Sequence, residues 1–234
     1  MIPLGIVASA RVASGWTPAL LPSLDLWLDA GSLALSDGNT VTAWADSSPA
    51  GNTATTSTGS PVYRTAQING RPAVDFASAS LSSAASASGA DQSVAAVVRI
   101  DNLSAFRSII GSSAAGGLQL RINQTTGYPA MLKASLAGLV TGTTGIAAST
   151  WTIITGTTSD SGNSAAVRVA KAAAGSATHG QTFTAAQTLR IGASGSATGE
   201  PWDGMFAEVI HSSALWSGAD ITAVESYLAT KYGL

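Results

Sequence analysis

The sequence contains no cysteine, which excludes a disulfide framework, thiolate catalysis and cysteine-held metals and leaves packing to supply stability. Charge is scarce as well: 10% of the 234 residues are Asp, Glu, Lys or Arg, against about a quarter in ordinary soluble domains. With a formal net charge of -2 and no cluster of Lys and Arg to displace counterions from phosphates, a nucleic-acid partner is not expected. No apolar run approaches the roughly 20 residues that span a bilayer. Residues 2–10 lack a cationic flank and are broken by Pro3 and closed by Arg11, so neither membrane insertion nor a secretory leader is expected. P-loop, dinucleotide glycine fingerprint, His/Cys zinc spacing and G-x-S-x-G elbow are all missing, which leaves nucleotide, transition-metal and serine-hydrolase chemistry without support.

What is present is an ordinary apolar fraction, 45%, combined with low net charge. That combination favours a folded chain over a disordered one, and the length suits one large core. From Leu24 onward, short apolar segments alternate with period two and are separated by Gly, Asn, Asp and Ser. They are LDLWLDA at 24–30, VTAWADSS at 41–48, PAVDF at 72–76, SVAAVVRI at 93–100, RSIIGS at 107–112 and LQLRI at 118–122. YPAMLKA at 128–134, TWTIITGTT at 150–158, AAVRVA at 165–170 and TLRIGA at 188–193 continue the series. Leu24, Leu26 and Leu28 share one face, and residues 160–164 read as a hairpin turn. No helical pattern intervenes, so the expectation is an all-β, two-sheet antiparallel sandwich. One short C-terminal α-helix is the exception: Ser217 and Asp220 have capping-box spacing, Ile221, Val224 and Leu228 follow at helical spacing, and Gly233 closes it. Residues 1–22, with Trp16, Pro18 and Pro22, suit an N-terminal arm, and 23–234 the domain.

Two stretches carry a family likeness. LDLWLDAGSLALSDGNTVTAWADSSPAGNTA followed by INGRPAVDF, and WDGMFAEVIHSSALWSGADITAVESYLATKYGL, together resemble the laminin-G-like or concanavalin-A-like jelly rolls of lectins, glycanase accessory domains and phage structural proteins. The likeness spans about residues 24–234 and implies a jelly roll with a closing strand and a capped helix. The opening PLGIVASAR is similar to the start of many tailed-phage virion proteins, which implies display on a phage particle.

Each candidate site has a plainer alternative. Glycan hydrolysis needs two carboxyls about 5 to 9 Å apart. The three glutamates, Glu200, Glu208 and Glu225, show none of the E-x-D-x-E pattern that glycanase jelly rolls carry, so no catalytic residue is expected. His179 and His211 read as surface or turn residues. Asp29, Asp37, Asn39 and Asp46 are candidate calcium ligands, since hard cations take several oxygens, although Asp and Asn here equally suit turns. Trp27, Trp44, Trp151 and Trp202 are expected mostly in the core with their indole N–H groups bonded. Tyr63, Tyr128 and Trp16, in Gly/Pro/Thr-rich surroundings, are the candidate ligand-binding aromatics, and Trp16 is also a candidate anchor for the arm.

The expectation is therefore a non-enzymatic virion surface protein, made in the host cytoplasm. Its arm would dock on other virion proteins and its lectin-like module would adhere to host-surface glycans, without a cofactor. A purely structural head or tail decoration protein and a glycan hydrolase are the alternatives. Homo-oligomers are expected, because repeated weak sites gain avidity when linked.

Overall fold

Alternation of buried and exposed side chains builds the strands. In Leu24–Asp29 (β1) the three leucines turn inward while Asp25, Trp27 and Asp29 stay partly exposed. The computed structural model describes residues 15–86, 89–112, 116–133, 137–182 and 188–234. Sixteen strands appear among them. After β1 come β2 (Ala43–Trp44), β3 (Ala54–Thr58), β4 (Val62–Ile68), β5 (Arg71–Asp75), β6 (Ser80–Ser86), β7 (Asp91–Ile100) and β8 (Arg107–Ser112). Then follow β9 (Leu118–Ile122), β10 (Pro129–Lys133), β11 (Ala137–Thr141), β12 (Trp151–Ser159), β13 (Ser164–Val169), β14 (Ala172–Thr178), β15 (Thr188–Ile191) and β16 (Gly204–Ser212). One α-helix, α1 (Gly218–Tyr232), ends the chain.

The strands form two eight-stranded antiparallel sheets, the sandwich expected from the sequence. The first runs β14-β13-β12-β7-β16-β5-β4, with β1 also on β16, and the second runs β11-β10-β9-β8-β15-β6-β3-β2. Between them lies the main core, including Leu26, Leu28, Trp44, Phe76, Leu81, Ile110, Leu120, Trp202, Phe206 and Val209. Each such side chain withdrawn from water contributes about 1.5–3 kcal/mol. Trp202 and Phe76 both pack on Phe206, with ring centroids 4.9 and 4.6 Å away. The indole N–H groups of Trp44 and Trp202 have no hydrogen-bond partner, contrary to expectation, because both rings lie wholly within the apolar layer between the sheets.

A second apolar layer covers the outer face of the first sheet. Ala73, Ala95, Val97, Ile153, Met205, Ala207 and Ile210 meet Trp216, Val224, Leu228, Ala229 and Tyr232 of the helical end. Of the arm expected over 1–22, residues 1–14 lie outside the described residues; the remainder joins this layer through Leu21 and Trp16, and the Trp16 ring sits 5.8 Å from that of Tyr227. With a core on one side and the helix on the other, all nine residues of β16 are buried. His211 is among them, fully buried and not at the surface, its Nδ1 2.6 Å from Asp25 Oδ1.

The helix starts and stops where its sequence dictates. Ser217 and Asp220 form the reciprocal capping box, and Gly233, at φ 70°, takes the left-handed position that ends it. Three ion pairs, made by two cations, fasten it to the sheet. Arg168 on β13 grips Glu225 with both arms of its guanidinium, at 2.7 and 2.9 Å. Lys231 Nζ donates to Asp29 Oδ2 and to Glu208 Oε2, each at 2.7 Å. Burial pushes the Glu208 carboxyl up. Burial would pull the Lys231 ammonium down, but Glu208 and Asp29 outweigh it and hold it raised.

Replacing Arg168 by Ala leaves the Glu225 carboxylate, 2% exposed, without its partner and is expected to cost about 3 kcal/mol, read as a lower midpoint in urea with an unchanged slope. Burial and the Glu208 charge also raise the tyrosines, Tyr227 from 10.0 to about 12 and Tyr232 further. A group with a raised folded pKa contributes stability that is intact below its unfolded value and lost as pH climbs toward the folded one. The melting temperature should therefore decline above about pH 10 from these two tyrosines, and Y227F should flatten that decline; an equally steep fall in Y227F would refute the assignment.

Candidate functional site

The residues singled out from sequence scatter. Tyr63, on β4, is 6% exposed and belongs to the main core. This corrects its reading as a contact aromatic: alternation in β4 turns it inward with Val74 opposite. Trp16 lies on the helix side. Tyr128 is half-buried in the turn after β9. The candidate calcium ligands are not brought together either, and among the described residues no group of three or more His, Asp or Glu could hold a metal. Each oxygen set has other work. Asp46 accepts the backbone N–H groups of Trp27, Ser48 and Asn52, Asn39 accepts that of Ser36, and Asp29 accepts that of Gly31 and binds Lys231. The backbone N–H of Thr65 holds the Asp37 carboxyl below its ordinary value. These are turn and helix-docking roles.

The three glutamates are equally committed. Glu208 and Glu225 face cations beneath the helix. Glu200 sits in the segment between β15 and β16, on the other sheet. His211 Nε2 faces Gln92 Oε1 at 3.3 Å and its Nδ1 faces Asp25 Oδ1 at 2.6 Å.

Polar groups do converge at one end of the sandwich, where three connections meet. Residues 101–106 touch the 123–128 turn through Thr125 N–H donating to Leu103 O at 2.7 Å. They touch the 200–203 segment through Asp101 N–H to Asp203 O at 2.8 Å. Arg107 braces this junction, donating to Pro201 O at 2.8 Å and to Asn102 Oδ1 at 2.7 Å.

The outward side chains of β8 and β9 complete the patch. Arg121 Nη1 donates to Glu200 Oε1 at 2.7 Å, its Nε to Asn123 Oδ1 at 3.3 Å, and its guanidinium lies 4.1 Å from the centroid of Phe106. Glu200 Oε2 accepts from Ser108 Oγ at 3.0 Å and also from Gln119 Nε2. Glu200 holds a left-handed backbone, φ 46°, a conformation that costs a non-glycine residue energy and that surrounding contacts must fix. The result is a planar cation stacked on an aromatic ring, set among amide and carboxylate groups whose orientations are already fixed. Such a surface can stack on an apolar ring face and hydrogen-bond hydroxyls around its edge. Of this patch the sequence reading named only Glu200, as a glutamate without a catalytic pattern, and it singled out neither Phe106 nor Arg121. Only the alternation in LQLRI, which turns Gln119 and Arg121 outward together, signalled any of it.

The second sheet is otherwise covered along β8. Gly111 faces outward, and a Cβ there would lie 2.7 Å from Ala193 O and 2.8 Å from Ser194 Cα, so the chain leaving β15 crosses directly over it.

Known structures share this architecture at low sequence identity. Domain 4 of an extracellular arabinanase from Geobacillus stearothermophilus, solved in complex with arabinotriose, aligns over 81% of this chain and 100% of its own with TM-score 0.60 and 15% identity. An arabinofuranosidase solved with arabinofuranosyl-alpha-1,2-xylobiose aligns over 82% of this chain and 51% of its own, with TM-score 0.62 and 14% identity. Trypanosoma rangeli sialidase aligns over 91% of this chain with TM-score 0.56 and 12% identity, and this chain spans 34% of that enzyme's length. No curated protein matches the sequence. The family description "Concanavalin A-like lectin/glucanases superfamily" matches residues 69–222, about two thirds of the chain, and with the two-sheet sandwich this shows that the protein belongs to the concanavalin A-like lectin/glucanase superfamily.

Proposed function

We propose that the chain is a non-catalytic carbohydrate-binding module that holds a neutral glycan at the end of the second sheet. The Arg121–Phe106 stack, fixed by Glu200, carries the reading: it supplies a partly exposed aromatic–guanidinium pair and oriented hydrogen-bonding groups at that end of the sheet. On the outer face of the first sheet, α1 covers β7, β12 and β16. The glutamates are tied to cations or amides, which leaves them as braces instead of a free acid and base. Two of the structural relatives were solved with an oligosaccharide bound. The low charge of the whole chain suits a hydroxyl-rich ligand recognised by stacking and hydrogen bonds.

The setting belongs to the same proposal. The PLGIVASAR opening supports display of the module on a phage particle, attached through its N-terminal segment to other virion proteins and in several copies. Mass spectrometry of purified particles tests that setting, and absence of the chain from them would remove it.

Binding itself is tested on a broad glycan array with the purified chain. Replacing Phe106 or Arg121 by Ala should weaken the recognised glycan about tenfold, the equivalent of roughly 1.4 kcal/mol, while the melting temperature stays within a few degrees. Failure of the wild-type chain to hold any glycan, or full binding by both variants, would overturn the assignment.

A further inference from the structure

The chain has only three lysines, and they differ sharply. Lys171 is exposed beside the Leu234 carbonyl, and Lys133 donates to the Thr182 carbonyl. Lys231 alone stands between two carboxyl groups, 2.7 Å from Asp29 Oδ2 and 2.7 Å from Glu208 Oε2. Glu208 is fully buried and cannot turn away: Trp27 Nε1 donates to its Oε1 at 2.6 Å and Tyr232 OH to its Oε2 at 2.9 Å. Aromatic rings close the surroundings, with Nζ 5.4 Å from the centroid of Tyr227 and 5.2 Å from that of Tyr232, and Trp27 edge-on to Tyr227 at 6.4 Å. The other ion pair under the helix has an arginine and a single carboxylate, and guanidinium is no nucleophile.

We propose that Lys231 and Asp29 condense into a side-chain amide, with Glu208 carrying the protons. A nucleophile and an acyl carbon held in contact by a folded frame react as if at very high concentration. Conversion of the Lys231–Asp29 pair to a neutral amide removes both of their charges from the site, and Glu208, left without its cation, then takes up a proton from solvent, the neutral form that burial favours. The steps balance without any other reactant. Glu208 Oε2 takes one proton from the ammonium and hands it to Asp29 Oδ2, and the freed amine forms its bond to Cγ of the resulting neutral acid. A second proton leaves the nitrogen through the same carboxylate. That proton joins the first on Asp29 Oδ2, which departs as water, and Glu208 leaves these steps as the carboxylate that entered them. Burial, by raising the Glu208 carboxyl, makes it a better transient holder of that proton. The product would staple β1 to the last turn of α1, residues 202 positions apart, and so lock both ends of the domain.

Intact-mass measurement with peptide mapping of the purified chain tests this. The wild type should weigh one water less than its sequence and yield a branched peptide joining the segments that carry Asp29 and Lys231. K231R, which keeps the cation, should retain full mass, and E208Q should form the link at least about tenfold more slowly, a general-base effect. Full mass with both peptides linear in the wild type would overturn the proposal. So would a lost water that maps elsewhere, such as cyclisation at the Asp–Gly pairs 37–38 or 203–204. The wild-type result decides the matter even if a variant does not fold, and it is independent of glycan binding.

Discussion

Lys231 Nζ, shared between Asp29 and Glu208 beneath the terminal helix, ties that helix to both β1 and β16. Strand β16 is sealed on both faces only while the helix stays docked, yet the strand carries a fully buried carboxyl at Glu208. A lone charge there would cost several kcal/mol. The helix supplies the cation that makes the carboxyl tolerable, and the carboxyl supplies the anchor that keeps the apolar face of the helix in place. Apolar burial and charge pairing are thus conditions for each other.

Charge is spent sparingly elsewhere too. Arg168 with Glu225, Arg121 with Glu200 and Arg99 with Asp101 each join a cation to an acid at 2.7–2.9 Å. Several of these pairs orient a side chain or brace an element instead of decorating the exterior. A surface left mainly to Ser, Thr, Ala and Gly is well suited to partners rich in hydroxyl groups, because little ordered charge has to be stripped of water on contact.

Much of this architecture was legible in the sequence. Two-residue alternation located β1, β7, β8, β9, β12 and β13, and the Ser217/Asp220 pair and Gly233 marked the helix ends. The family likeness gave the jelly roll. What stayed hidden has physical reasons. Strands β3, β6 and β14 consist almost wholly of Ala, Ser, Thr and Gly, residues that carry no hydropathy contrast, so no period shows. The turn into β14 uses Ala170 and Lys171, both at positive φ (47° and 71°), where Asn-Gly would have announced a hairpin. Residue type near turns points to local candidates, whereas the patch draws on side chains from residues 102–106, β8, β9 and the 200–203 segment, as far as 101 positions apart. Pairing at that range leaves no local trace.

The crossing over Gly111 has a geometric corollary. With the 193–194 backbone laid across it at Gly111, the described outer surface of the second sheet is interrupted there. On the proposed reading, a saccharide held by Arg121 approaches from the tip, as a terminus or a short branch. A domain that works by its tip needs little lateral clearance, so many copies could stand shoulder to shoulder without masking one another.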